Sequence, residues 1–436
     1  MLNDTIVALA GGVNQAIAII RLSGAQAKEI TDRVVKRKIL NQPSHTIKHN
    51  YIIDNDEVID EVMISFFKAP LSYTTEDMIE INIHGSSYVA NKVVSLLIAQ
   101  GARSAQRGEF TQRAYLNKRI DLSQAEGIKD LIAANNKYNA NMAINSVMGS
   151  TLKLIEKLRS SLLKTIANIE VNIDYPEYDD VEQLTDEIIK PRVKAWLSDI
   201  SDIIKKSEQS LLIKEGITTA IIGEPNVGKS SLLNALLEEN KALVSSVAGT
   251  TRDIVEGEVI INEISLKLLD TAGLRETNDE IEQMGIAKSK QAIKRADLVI
   301  LVLDGTEKNL DKWQALLDDK MHIVVNNKAD LNNTTNGINI SALHNDISPL
   351  IDKIKELIKI EEIKPQEILQ SARQIGLMRQ AHQSLTNTLA ALEDYQELEL
   401  IAIDLQSAYQ QISDIVGQYH RSDLLDSLFS SFCLGK

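Results

Sequence analysis

The chain has 436 residues, room for about three domains of roughly 150 residues each, and its 44% hydrophobic and 25% charged content is that of an ordinary globular protein. A formal charge of −14 argues against a broad nucleic-acid or anionic-membrane surface. The one cysteine, Cys433, excludes an internal disulfide framework and any all-cysteine metal site.

The charge is uneven. Residues 1–119 carry 14 Lys and Arg against 12 Asp and Glu, and residues 120–436 carry 33 against 49, so direct RNA contact is easier to place on the first segment. Asp4 stands where a signal peptide would be basic, and apolar runs such as 298–303 fall far short of the ~20 residues of a membrane span. Both point to a soluble, cytoplasmic protein with no membrane partner.

Residues 1–118 read as mixed α/β, with strand-like runs at 17–22, 61–67 and 78–83 and a helical pattern at 88–100 that stops at Gly101. From about Asp121 to Lys214 the pattern is helical, with Leu152, Ile155, Leu158, Leu162, Ile166 and Ile169 on one stripe. Within it, Asp174-Tyr175-Pro176-Glu177-Tyr178-Asp179-Asp180 predicts a turn between long helices. Strand-like runs then follow at 217–222, 255–261, 264–269, 298–303, 322–325 and 338–340, which predicts an α/β domain around a largely parallel sheet. After about Ile360 the helical pattern resumes. The expected domains are 1–118 (α/β), 119–213 (helical, first part), 214–359 (inserted α/β) and 360–436 (helical, second part).

The strongest motif is Gly223-Glu224-Pro225-Asn226-Val227-Gly228-Lys229-Ser230, followed by Ser231, a phosphate loop between a strand and a helix. Its glycines let backbone N–H groups wrap phosphates, Lys229 reaches the β- and γ-phosphates, and the Ser230 hydroxyl is an Mg²⁺ ligand. Downstream, Gly249-Thr250-Thr251-Arg252-Asp253 offers a hydroxyl to Mg²⁺ and the γ-phosphate, with Thr251 the candidate metal ligand. Asp270-Thr271-Ala272-Gly273 offers a carboxylate to the metal's surroundings and an N–H to the γ-phosphate. In Asn327-Lys328-Ala329-Asp330 a carboxylate can accept from guanine N1–H and N2–H₂, a donor pair adenine lacks. Ser341-Ala342-Leu343 can offer backbone N–H to guanine O6. Five elements in order identify a GTPase.

Leu274 and Arg275 follow Gly273, so no Gln stands close behind to orient water. A bound monovalent cation can replace part of the charge an arginine finger supplies. Asn226 and the carbonyl-rich loop Ser245-Ser246-Val247-Ala248-Gly249-Thr250 can build its oxygen cage.

The whole chain resembles the MnmE (TrmE) family of tRNA-modification GTPases. The resemblance rests on the stretch from Arg107-Gly108-Glu109-Phe110-Thr111 to Asn117 with Asp121-Leu122-Ser123-Gln124-Ala125-Glu126, on Glu76-Asp77-Met78-Ile79-Glu80 with His84-Gly85, on Asp174-Tyr175-Pro176-Glu177, and on the C-x-G-K tail Phe432-Cys433-Leu434-Gly435-Lys436. It implies a folate-binding, dimer-forming first domain, a helical domain from two chain segments, and an inserted, K⁺-activated G domain. It also implies a FAD-dependent partner, MnmG, in a heterotetramer that adds an aminomethyl or carboxymethylaminomethyl group to C5 of the wobble uridine of certain tRNAs. The one-carbon unit would come from 5,10-methylene- or 5-formyl-tetrahydrofolate.

Carried over by position, the K⁺ ligands are the Asn226 side chain and the carbonyls of Ser245, Val247 and Thr250. Glu282 helps orient water, Arg21, Glu80 and Arg119 contact folate, and Cys433 takes part in modification. Gly11-Gly12-Val13-Asn14-Gln15-Ala16 replaces a longer Pro- and Gly-rich family stretch beside the expected folate pocket, and Arg119 stands where Lys is common. The reading from another class is a GTPase that assembles RNA or ribosomes without modifying them. That reading leaves the first domain unexplained.

Overall fold

The structure, a computed structural model, describes residues 4–174, 185–239, 255–261, 263–269, 291–304, 313, 316–317, 320–331, 337–358, 363–418, 425, 428–433 and 435. These gather into two compact units, one of residues 1–133, 143–194 and 380–436, the other of residues 134–142 and 195–379.

The first unit opens with β1 (Ile6–Leu9), β2 (Gln15–Ser23), α1 (Ala27–Arg33), β3 (Thr46–Asp54), β4 (Glu57–Phe67), β5 (Met78–Gly85), α2 (Ser87–Ala99), β6 (Arg103–Ser104) and α3 (Glu109–Leu116). Its sheet has the order β3-β4-β5-β2-β1-β6, antiparallel except where β6 joins β1. Side chains alternate across a strand, and the sequence uses this. Ile20, Leu22, Ile64, Ile79 and Ile81 pack with Ala27, Ile30, Val93 and Leu97 in one core, while Arg21 and Glu80, one residue out of phase, are only half-buried. β1 and β3 lie outside the runs the sequence predicts, because β1 has four residues and β3 is largely polar.

α4 (Leu122–Ala133), α5 (Lys137–Val147), α6 (Ser150–Asp174) and α7 (Asp186–Glu215) follow. The predicted stripe on α6 buries Ile155, Leu158, Leu162, Ile166 and Ile169. The turn expected between α6 and α7 lies, past Asp174, outside the described residues.

The second unit holds β7 (Ile217–Ile222), α8 (Lys229–Glu239), β8 (Val255–Ile261), β9 (Ile264–Leu269), β10 (Leu298–Leu303), β11 (Met321–Asn326), β12 (Ile338–Asn339) and α9 (Ser348–Ile358). The sheet order is β12-β11-β10-β7-β9-β8, parallel except for the β8–β9 hairpin. All six residues of β10 are buried, as expected of a parallel strand covered on both faces.

α10 (Ala372–Glu393) and α11 (Leu398–Asp414) end the helical part. α11 packs on α6 although more than 200 residues separate them. Two separated chain segments therefore form one helical body. Residues 134–142 and 195–213, expected within the first helical part, lie in the same compact unit as the β7–β12 sheet. Tyr138, Met142, Ile213 and Ile368 share a buried cluster there, and the Tyr138 hydroxyl lies 2.9 Å from Ser210 Oγ.

Candidate functional site

Two arrangements collect the residues singled out above. In the second unit the phosphate loop turns from β7 into α8. Gly223 has φ +150°, and a Cβ there would stand 2.2 Å from the Val302 carbonyl oxygen. Gly228 has φ +95°, and a Cβ there would stand 2.2 Å from Asn327 Nδ2. Only glycine lets the loop fold this tightly against its neighbours. Asn226 also takes a left-handed backbone, φ +66°. Val227 is buried. Lys229, in the first turn of α8, donates to the carbonyls of Gly223 (3.0 Å) and Glu224 (2.6 Å), so its ammonium spans the mouth of the loop. Ser230 and Ser231, next on α8, are exposed.

The residues expected to meet the base lie just beyond the ends of β11 and β12. Buried Asn327 donates from Nδ2 to the Val227 carbonyl (2.9 Å) and accepts the Ala342 N–H on Oδ1 (3.0 Å), tying the phosphate loop to the base loops. The Ser341 hydroxyl donates to Asp330 Oδ1 (2.7 Å) and holds that carboxyl below its ordinary range. Its backbone N–H is engaged by the Asp346 carbonyl (3.0 Å). Lys328, at φ +61°, pairs with Asp304 at 3.3 Å, a partner the motif alone does not reveal. An ionised carboxylate beside Asn327 is an acceptor pair for a base with two adjacent donors. Ser245, Ser246, Val247, Ala248, Gly249, Thr250, Thr251, Asp270, Thr271, Ala272, Gly273 and Glu282 lie outside the described residues.

In the first unit Arg21 on β2 and Glu80 on β5 are register partners, and Arg21 donates from Nε and Nη2 to Glu80 Oε1 at 2.9 and 2.7 Å. Arg21 Nη1 donates to the Gly435 carbonyl at 3.3 Å. The C-terminal tail is thus seated on the Arg21–Glu80 pair. Phe429 and Phe432 bury themselves with Tyr115 and Leu122, and the Gly108 N–H reaches the Cys433 carbonyl at 3.4 Å. A Cβ at Gly108 would stand 2.6 Å from the Phe429 carbonyl oxygen, and one at Gly435 would stand 2.4 Å from the Leu9 carbonyl oxygen. Glycine is required at Gly108 for the tail to meet the start of α3 and at Gly435 for it to meet β1, and Cys433 is exposed. Leu434 and Lys436 lie outside the described residues.

Arg119 is exposed just after α3, its guanidinium 5.0 Å from the centre of the Tyr73 ring. The loop carrying Tyr73 is anchored by an ionic cluster. Arg113, whose side chain is 1% exposed, pairs with Asp4 (2.8 Å), Glu76 (3.1 Å) and Glu109 (3.1 Å). Burial pushes the Glu109 carboxyl up, but hydrogen bonds from Arg103, the Gln106 N–H and Arg113 outweigh it and leave Glu109 below the usual carboxylate range. Glu76 also accepts from Ser23 Oγ at 2.8 Å. His84, from the His-Gly pair, holds Asp60 through Nδ1 at 2.6 Å, which raises its pKa above 6.5. The sequence reading missed Tyr73, although it lies three residues before the quoted Glu76-Asp77 stretch.

Residues 5–119 match the family described as the GTP-binding protein TrmE N-terminus, and residues 122–433 match the MnmE helical domain. The tRNA modification GTPase MnmE of Bacillus cytotoxicus is 41% identical over a 455-residue alignment that covers 99% of either chain. Its counterpart of the same description from Bacillus cereus is 42% identical over the same span, again covering 99% of each. Among solved structures, the FeoB G-domain from Methanococcus jannaschii is 24% identical, covers 33% of this chain and 98% of its own, and has a TM-score of 0.24.

Proposed function

The chain belongs to the MnmE family of tRNA-modification GTPases, and from that premise we propose how its residues divide the work. The second unit binds and hydrolyses GTP. Asp330, aligned by Ser341, selects guanine, and Lys229 exchanges its two loop carbonyls for phosphate oxygens. A loop in which both glycines are required by close approach of other atoms is a cradle for phosphates, and Ser230 in the first turn of α8 fits an Mg²⁺-nucleotide. Thr251 is the second Mg²⁺ ligand, and Asp270 lies in the metal's surroundings. Asn226, with the carbonyls of Ser245, Val247 and Thr250, holds K⁺, which supplies positive charge near the transferring phosphate. Glu282 orients the attacking water.

The first unit binds a tetrahydrofolate one-carbon donor. Arg21 and Arg119 are its cationic donors, and Glu80 is an acceptor for the amino and ring N–H groups of the pterin. With the FAD-dependent partner MnmG, a homodimer of the chain adds an aminomethyl or carboxymethylaminomethyl group to C5 of the wobble uridine of certain tRNAs, with Cys433 taking part beside the one-carbon site. The observation that supports this most is the Gly435 carbonyl on Arg21, since it brings the cysteine-bearing tail to the residues that hold the one-carbon donor. A GTPase that only assembles RNA particles has no use for that arrangement.

The test is the nucleoside profile of tRNA from cells lacking the protein, with the chain restored on a plasmid. Loss of the C5-modified wobble uridine and its return on complementation are expected. An unchanged profile removes the modification reading.

A further inference from the structure

One aromatic ring faces both cations of the one-carbon site. The Tyr73 ring centre lies 5.0 Å from the guanidinium carbon of Arg119 and 5.7 Å from that of Arg21. Among the described residues the Arg119 side chain has no ion pair or hydrogen bond, so the ring is what holds its charge in place. Arg21 is committed on its other edges, to Glu80 and the Gly435 carbonyl, and lies 5.7 Å from the Phe110 ring as well.

Tyr73 is itself fixed. Its hydroxyl lies 2.9 Å from Thr111 Oγ1 on α3, and Asn117 Nδ2 donates to the next carbonyl, Thr74 O, at 2.7 Å. Ser23 Oγ and Thr74 Oγ1 meet at 2.6 Å, which ties the loop back to β2. The platform is therefore braced from both the sheet and the helix, while the cation on it stays open to solvent.

A free arginine loses much of its rotamer freedom when it grips a ligand. A face of negative π density that already confines it removes part of that cost before the ligand arrives. We infer that Tyr73 is a positioning residue for the one-carbon site. Through its ring it sets the Arg119 and Arg21 guanidinia at a fixed separation, so that they meet a reduced folate together. The inference rests on the folate reading above and adds to it which residue sets the geometry of the two cations.

The test is calorimetric titration of the full chain with 5-formyltetrahydrofolate, with GTP hydrolysis and the thermal midpoint as controls for folding. Tyr73→Phe keeps the ring and should bind within about two-fold of the parent. Tyr73→Leu should bind about three- to five-fold more weakly, the scale of a cation–π contact at an exposed site. Arg119→Gln should weaken binding similarly, and the double variant Tyr73→Leu/Arg119→Gln should bind more weakly than Arg119→Gln alone by a smaller factor than Tyr73→Leu costs the parent. Tyr73→Leu binding as tightly as the parent overturns the inference, as does a double variant in which the two losses multiply. Should Tyr73→Leu lose its fold, a series of ring-fluorinated phenylalanines at the same position keeps the volume and drains the negative face. Affinity that falls with fluorination supports the inference, and affinity indifferent to it overturns it. A parent chain that hydrolyses GTP but binds no reduced folate overturns the folate reading itself, and is distinguished by failing before any variant is made.

Discussion

Arg21 and Glu80 face each other across the β2–β5 pairing, and two guanidinium N–H groups converge on one carboxylate oxygen at 2.9 and 2.7 Å. Both side chains are about one-fifth exposed, at 18% and 22%. The fifth that meets water leaves part of this partly buried pair for recognition, while the rest helps to hold β2 against β5. Its remaining polar edges meet the tail on one side and solvent on the other.

That placement gives the first expectation. Glu80→Ala should weaken reduced-folate binding about ten-fold or more, as expected when hydrogen bonds to a charged group are lost. Chemical unfolding should register a loss of ~1–3 kcal/mol, since the Arg21 guanidinium is left without its partner. Equal folate affinity in the two proteins would separate Glu80 from the one-carbon site.

Asp330→Asn should transfer preference from GTP to xanthosine triphosphate, because the amide presents a donor where the base now offers a carbonyl. Competition binding with the two nucleotides reads this directly. The Ser341 hydroxyl remains within reach to orient the new side chain, so the exchange should be of specificity more than of total affinity.

Replacing Na⁺ with K⁺ at constant ionic strength should raise GTP turnover, and Asn226→Ala should remove most of that difference while the nucleotide still binds. Single-turnover hydrolysis in the two salts, for both proteins, is the measurement. Equal rates in the two salts for the parent chain would leave Asn226 as a loop residue alone.

The Arg113 cluster predicts an acid-side weakness. Glu109 has its folded pKa depressed below the ordinary 4.5, so its contribution is fully present above that value and is lost as pH falls through the lower folded pKa. Glu109→Gln should destabilise the protein by ~3 kcal/mol at neutral pH, since it uncouples a buried pair. It should also flatten the fall in thermal midpoint between about pH 5 and pH 3. A variant whose midpoint falls as steeply as the parent's would locate the acid sensitivity elsewhere.

Gly435→Ala places a Cβ 2.4 Å from the Leu9 carbonyl oxygen at a backbone with φ +86°. The tail must then leave Arg21. Wobble-uridine modification in complemented cells should fall to near background, while GTP hydrolysis by the purified variant stays at the parent rate. The alkylation rate of Cys433 should change with it, reporting that the tail has moved.

Several parts of this molecule are legible without coordinates. The nucleotide site is one of them, because its information is local. Gly223 to Ser230 fits one strand–turn–helix connection, and Asn327 with Asp330 occupies four consecutive residues after a strand. Parallel-sheet topology then brings the ends of such strands together at one edge. The strands of the second unit are legible for the same reason, each being a short apolar run between breaks. β3 is not, since Lys48, His49 and Asn50 interrupt any apolar pattern and only pairing with β4 makes it a strand.

The sequence by itself determined that the chain carries a guanine-specific nucleotide site, and through its separated signatures which family it resembles. Only the tertiary structure decided that Gly435 lies on Arg21, that Arg113 gathers Asp4, Glu76 and Glu109, and that Tyr73 stands beside two arginines. The Arg21–Gly435 contact spans 414 residues of chain. A pattern read over a few residues reports periodicity and turn chemistry. Which distant glycine fits beneath which carbonyl is settled by packing, where the absence of one Cβ allows two backbones to touch.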